Sequence, residues 1–182
     1  MLIKLLRQVL SKLKRLKGFF ASSSTQWRHR LAIRGRAALS NADFRATDRL
    51  YRGYSLSDLD DNGNIDVASF ESRDLSCNWD RFSVPSDIRH RPSGRQTDGC
   101  HSLSVDIARY KNLATPCHDP IRESEYENYA HVEIRWLNAG EAIEFMPPHG
   151  RNISRSKTAK AQRLEWRTNA VRQVRFELQA TD

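Results

Sequence analysis

The stretch Tyr129-Ala130-His131-Val132-Glu133-Ile134-Arg135-Trp136 alternates apolar and polar side chains almost from end to end. A period of two belongs to extended chain. Ala130, Val132, Ile134 and Trp136 are therefore expected on one face of a strand, with His131, Glu133 and Arg135 on the other. Downstream, Asn138-Ala139-Gly140 offers a turn from which Ala142 to Met146 would return as a pairing strand, stopped by Pro147-Pro148. Upstream, Leu103, Val105 and Ile107 alternate with Ser102, Ser104 and Asp106 as a second half-buried strand. Leu50 to Tyr54 reads as a short strand or a helix end, and Asn62-Gly63 marks a turn within Asp58 to Asn64. Ser83 to Gly99 holds two prolines and two glycines among few apolar residues, the composition of a long exposed loop. Ser154 or Ser156 is placed to cap a basic helix running to about Arg167, and Val174, Phe176 and Leu178 alternate as a last strand. The expected class is α+β, a mostly antiparallel sheet with a few helices.

Charge divides the chain into three parts. Residues 1–40 carry ten Lys and Arg and no Asp or Glu. Residues 41–150 carry twelve basic against nineteen acidic residues, a net of −7, and residues 151–182 carry eight against three, a net of +5. The overall +8 thus describes basic ends on an acidic body. We read residues 1–40 as a basic appendage and 41–182 as a single α+β domain, long enough to bury a core without metals or disulfides. Hydrophobic residues make up 38% of the chain, and no apolar run approaches the roughly 20 residues that a spanning helix needs. Cys77, Cys100 and Cys117 are odd in number and lie in separate segments, which fits a reducing compartment. A cytoplasmic location is expected, with an organellar matrix as the alternative if the leader is a removable address.

Within that leader, Leu2, Leu6, Val9, Leu13, Leu16 and Phe20 recur at steps of three and four, so an amphipathic helix is expected before the body. Four roles fit it: packing on the body or on a partner helix, lying on an anionic lipid surface, serving as a transit peptide, or leading into a phosphate-binding segment. Arg28, Arg30, Arg34 and Arg36 would supply the phosphate contacts, with Trp27 as a stacking face. Lys12, Lys14, Arg15 and Lys17 interrupt any apolar region of the length that a secretory signal requires.

The acidic body holds several constellations with chemical potential. Asp58, Asp60, Asn62, Gly63, Ile65 and Asp66 match part of an EF-hand loop, but Ser69 stands where the bidentate Glu belongs, and a turn accounts for the composition. Cys100-His101 and Cys117-His118 supply the atoms for zinc in the wrong spacing, since neighbours in extended chain point to opposite faces. No metal is therefore expected. Thr115 to Glu133 is the better active-site candidate: His118, Asp119 and His131 flank Glu123, Glu125 and Glu127, and His131 shares a strand face with Glu133. His118-Asp119-Pro120 reads equally as a turn whose Asp binds backbone amides.

The ordered pieces Leu50-Tyr51-Arg52-Gly53, Asp61-Asn62-Gly63, Ala68-Ser69-Phe70, Leu75-Ser76, His118-Asp119-Pro120 and Asn128-Tyr129-Ala130-His131 resemble a family of small uncharacterised bacterial proteins. That resemblance implies a compact prokaryote-type domain and no particular activity. A weaker one is to ADP-ribosyltransferase-type toxins, carried by Tyr51-Arg52-Gly53, Ser102 with Ser104, and Glu141 or Glu144 in that order. It implies NAD as cofactor, Arg52 gripping a phosphate and the Glu stabilising the departing ribose cation. The chain departs from the pattern by lacking a Ser-Thr-Ser run and a Glu-x-Glu pair.

The leading expectation is a binding protein without enzymatic activity or cofactor, held to nucleic acid or another polyanion through its basic ends. Lys157, Lys160, Arg163 and Arg167 recur at steps of three and four and would form one helix face, which a solvated surface explains equally well. The alternative is a small enzyme or toxin, acting either by ADP-ribosyl transfer through Arg52 or by acid–base chemistry through His118, Asp119, His131 and Glu133.

Overall fold

The computed structural model describes residues 28, 30–89, 97–123 and 126–179. Its centre is a six-stranded sheet of β1 (Arg49–Tyr54), β2 (Asp74–Trp79), β3 (Gly99–Ser104), β4 (Ala114–His118), β7 (His131–Trp136) and β8 (Arg175–Leu178), in the order β4-β7-β2-β1-β3-β8. Every neighbouring pair in it is antiparallel. A separate hairpin joins β5 (Ile121–Glu123) to β6 (Tyr126–Asn128). Two α-helices complete the described part, a single turn α1 (Val105–Ala108) and the long α2 (Lys157–Arg172). The fold is α+β. None of the described helices is long and apolar enough to cross a membrane. The amphipathic stripe expected over residues 2–20 lies outside the described residues.

Register decides which residues meet. Leu50 sits between Trp79 and Leu103, Ile134 between Leu75 and Pro116, and Val132 between Cys77 and His118. Because side chains alternate along each strand, these residues share one face. Against it pack Phe44, Phe70, Val105, Ala108, Trp166 and Ala170, all buried. Trp166 is 0% exposed, and its indole N–H donates to the Ala108 carbonyl at 2.9 Å, so α2 is pinned through α1 to the sheet. Burying one such large side chain stabilises by roughly 1.5–3 kcal/mol.

The other face is polar yet covered. All six residues of β7 are buried, including His131, Glu133 and Arg135. The alternating pattern put these three on one polar face, and the segment from Glu141 to Gly150 lies across it, with Arg135 Nη1 donating to the Pro147 carbonyl at 2.8 Å. Covering charged groups is tolerable because they compensate one another, as described below.

Several expected elements take another form. Val105 and Ile107 do not extend a strand: β3 ends at Ser104, whose extended backbone caps the turn of α1. Ala142 to Met146 forms no strand, because β7 is already hydrogen-bonded along both edges, to β4 and to β2. Its residues make a turn instead, with Phe145 N–H on the Ala142 carbonyl at 3.0 Å. Within the expected loop from Ser83 to Gly99, Pro85–Arg89 forms a 3-10 helix. Ser156 does cap α2, accepting from Ala159 N–H at 3.1 Å, and the helix runs on to Arg172. Asn62-Gly63 does turn, with Gly63 at φ +77°. Residues 31–40, counted with the leader by charge, belong to the packed body: Leu31 and Ile33 are buried, and the Leu31 carbonyl accepts from Tyr129 N–H at 2.7 Å.

Candidate functional site

Two assemblies of functional side chains emerge, one on the polar sheet face and one around the start of the described chain. On the polar face, Asp74, Ser76 and Asn78 of β2 lie directly beside Arg135, Glu133 and His131 of β7. Thr115 and Cys117 of β4 flank Arg135 and Glu133 on the far side. Arg135 is the hub. Its Nε and Nη2 reach Glu133 Oε2 at 2.9 and 2.7 Å, and Nη2 also pairs with Asp119. Burial works against the Glu133 carboxylate, but hydrogen bonds from His149 and Arg135 outweigh it and hold the group below its ordinary pKa.

His131 is fixed by two partners. Its Nδ1 lies 2.6 Å from the Asp119 carbonyl, which can only accept, so Nδ1 carries the proton. In the neutral ring Nε2 then accepts from the Ser76 hydroxyl at 2.8 Å. A hydroxyl aimed at an imidazole whose tautomer is set from behind is the arrangement that proton transfer from a Ser requires. The cluster opens to solvent at Asp119, 48% exposed, and at His149, 67% exposed.

His149 Nδ1 donates to Glu133 at 2.8 Å and lies 3.7 Å from Asp74. These three form the only group of potential metal ligands among the described residues. The Arg135 guanidinium already occupies the Glu133 oxygen that a cation would take, so the donor set fits a metal poorly.

The remaining sequence candidates fall elsewhere. His118 lies on the apolar face, 0% exposed, among Trp79, Phe82 and Tyr129. Leu39 N–H donates to its Nδ1 at 2.8 Å and its Nε2 donates to the Tyr129 carbonyl at 2.5 Å, while burial lowers its pKa. Both nitrogens are thus engaged with backbone in the neutral ring, and His118 does not meet His131. Arg52 also lies on the apolar side, opposite His101, donating to the Ser76 and Ser69 carbonyls at 3.1 and 3.2 Å. Ser102, paired with Tyr51, points to the other face and donates to Glu177 at 2.6 Å. Glu141 pairs with Arg151 at 2.6 Å.

Neither sequence-level metal candidate forms a site. In the Asp58 to Asp66 loop, Asp60 accepts from Asn62 and Asn64 N–H, Asp66 from Ala68 N–H and Asp58 from Ser55 N–H. Cys100 and Cys117 are buried on β3 and β4, which three strands separate. Burial pushes their thiols up to about 12 and about 11, away from the thiolate that zinc needs.

The second assembly is built from arginines of three segments. Arg36 lies 3.7 Å over the Tyr129 ring, donates to the Ile33 and Ala32 carbonyls, and shares the Phe82 ring with Arg81 at 5.8 and 5.4 Å. Arg122 donates to the Arg36 carbonyl at 2.8 Å. Arg28, Arg34, Arg81 and Arg122 are exposed. Arg30 is committed to the buried Asp87 at 2.7 Å. Among the described residues, Arg34, Arg81 and Arg122 enter no ion pair with a carboxylate.

The basic face expected on α2 is split. Lys157 and Lys160 are exposed, whereas Arg163 and Arg167 are half-buried, the latter paired with Glu71 at 3.0 Å. Ser76, Asp74 and His149 escaped the sequence reading, although the polar residues at 74, 76 and 78 carry a period of two that could have flagged a strand; Arg135 was placed on the face of His131 and Glu133 but not as its hub. Arg81 and Arg122 carry no local signal at all.

Comparison of the chain with protein-family models, with curated proteins and with solved structures finds no match in any of the three.

Proposed function

We propose that this protein binds a phosphate-bearing polyanion, with single-stranded nucleic acid as the form to test, through an arginine surface that continues its basic leader into the body. The observation that carries the reading is the placement of Arg81 and Arg122 against Arg36, with exposed Arg34 two residues along the chain, none of the three with a carboxylate partner among the described residues. Arg36 serves as the scaffold, since stacking on Tyr129 and hydrogen bonding to backbone leave it fixed. Its neighbours present their guanidinium groups to solvent, where phosphate is the matching bidentate acceptor. The ten cations and absent carboxylates of residues 1–40 add to the same field.

The test is anisotropy of a labelled oligonucleotide against the full chain over a range of salt. Binding should weaken steeply with ionic strength, and Arg34→Ala/Arg81→Ala/Arg122→Ala should flatten the slope of log K against log salt by roughly 2, about 0.7 per lost contact. An unchanged slope, or no binding at low salt, sinks the reading.

A second reading rests on Ser76 and His131. The 2.8 Å contact between Ser76 Oγ and Nε2 favours proton-transfer or acyl-transfer chemistry on the polar face, with His131 as base and the Asp119 carbonyl as its orienting group. A fluorophosphonate probe should then label Ser76, and the label should vanish in His131→Gln as well as in Ser76→Ala. Equal labelling of His131→Gln would count decisively against it.

A further inference from the structure

We infer that the cavity between the first turns of α2 and the end of β7 is a binding site for a small organic anion, a phosphate or carboxylate attached to an apolar group. The cavity measures about 340 Å³, within the usual range of ligand pockets. Leu113, Trp136 and Ile153 form its apolar wall, and none of its lining residues is acidic. Thr158, Ala159, Gln162 and Arg163 of α2 line the opposite side. Steps of four along the helix stack Thr158 on Gln162 and Ala159 on Arg163, so these side chains project from adjoining rows. The small Ala159 side chain leaves the room.

Charge names the ligand. Among the described residues, the side chains of Thr158, Gln162 and Arg163 make no hydrogen bond or ion pair, although Arg163 is half-buried. Burial, together with the like charge of Arg167, lowers its pKa. A partly buried guanidinium on a cavity lined by no acidic residue has no counter-charge there, and an anion in the cavity would supply one. The guanidinium fork matches either carboxylate or phosphate bidentately, and the Thr158 hydroxyl and Gln162 amide add neutral donors. The wall of Leu113, Trp136 and Ile153 sets the remainder of the ligand as an apolar group. This site is separate from the Arg34, Arg81 and Arg122 surface and takes a small molecule rather than a chain, so each proposal can fail without the other.

The experiment is a titration of the full chain followed through the Trp136 indole N–H and the Arg163 Nε–H resonances. The probes are adenosine 5′-monophosphate, benzoate, adenosine and inorganic phosphate. At least one of the first two should shift both resonances saturably at or below about 1 mM, with adenosine and inorganic phosphate at least about tenfold weaker. A response to the monophosphate alone assigns phosphate as the anion, and a response to benzoate alone assigns carboxylate. Arg163→Met should weaken binding at least about tenfold. Ala159→Leu, which fills the cavity without touching charge, should abolish it. Failure of both anions to shift these resonances would overturn the proposal, as would adenosine binding as tightly as its monophosphate. Wild-type affinity in folded Arg163→Met and Ala159→Leu would overturn it as well.

Discussion

The guanidinium carbon of Arg36 stands 3.7 Å from the centre of the Tyr129 ring, and the Tyr129 hydroxyl donates to the Ala37 carbonyl at 3.0 Å. The two residues clasp each other from segments 93 positions apart in the chain, and Arg122 is held against the same turn. The clasp makes residues 30–40 part of the body and holds the arginine surface in place.

Arg36→Ala should therefore loosen the N-terminal segment before it disturbs the sheet. The cation–π contact is worth about 0.5–2 kcal/mol, and the capped carbonyls add to it. Hydrogen exchange should rise at the Tyr129 amide, which donates to the Leu31 carbonyl, with the β1–β3 amides unchanged.

The pairing of Arg135 with Glu133 is a buried one. Arg135→Met leaves the Glu133 carboxylate, 9% exposed, with His149 as its only charged partner among the described residues, and should cost up to about 3–5 kcal/mol in urea unfolding. Arg135→Met with Glu133→Gln should recover much of that loss, because the double variant buries no charge. Full additivity of the two single losses would show that the pair is not coupled.

Two buried histidines set an acid limit on stability. Burial, reinforced by the Arg52 charge, lowers His101 to about 3, and burial lowers His118 as well. The unfolded chain takes up these protons near pH 6.5 while the folded one refuses them, so the contribution is whole above that pH. It erodes as pH falls towards 3. His101 Nδ1 has no hydrogen-bond partner among the described residues, and its ring packs between Phe70 and Tyr54. His101→Phe should accordingly flatten the fall of urea midpoints below about pH 6.5.

His149 has the opposite sign. Its hydrogen bond to Glu133 raises its pKa above 6.5, so the contact is fully present in acid and is lost as pH rises through the raised value. Gly150 N–H, bonded to Asp74 at 2.9 Å, reports on the same segment. Its exchange, corrected for the intrinsic rate, should accelerate at alkaline pH in the wild type and be fast throughout in His149→Ala. A pH-independent Gly150 amide in the wild type would contradict this role of the His149–Glu133 contact.

Legibility followed the range of the forces. β7, β8 and the Asn62-Gly63 turn could be read directly, and β1 and the Ser156 cap each as one of two readings, because periodicity and capping act within a few residues. β2 and β4 escaped notice: Asp74-Leu75-Ser76-Cys77-Asn78-Trp79 is poor in β-branched residues, and Pro116 argues against a strand unless it lies at an edge, where β4 does lie. Ala142 to Met146 has a strand's composition, but both edges of β7, its expected partner, are taken, a fact that only the complete sheet contains.

The candidate sites divide in the same way. Alternation placed His131 and Glu133 on one face, and charge counting marked the arginines of residues 28–36. It took strand register to bring Ser76 and Asp74 to that face and to send His118 and Arg52 to the other. Loop packing alone brought Arg81 and Arg122 to Arg36 and His149 to Glu133. By itself the sequence determined the class, the charge partition and the local face of each strong strand, since these depend on neighbouring residues. The tertiary structure decided which faces oppose, which charges are paired and which cation is left facing an open cavity. Those outcomes depend on residues tens of positions apart, whose meeting no local pattern encodes.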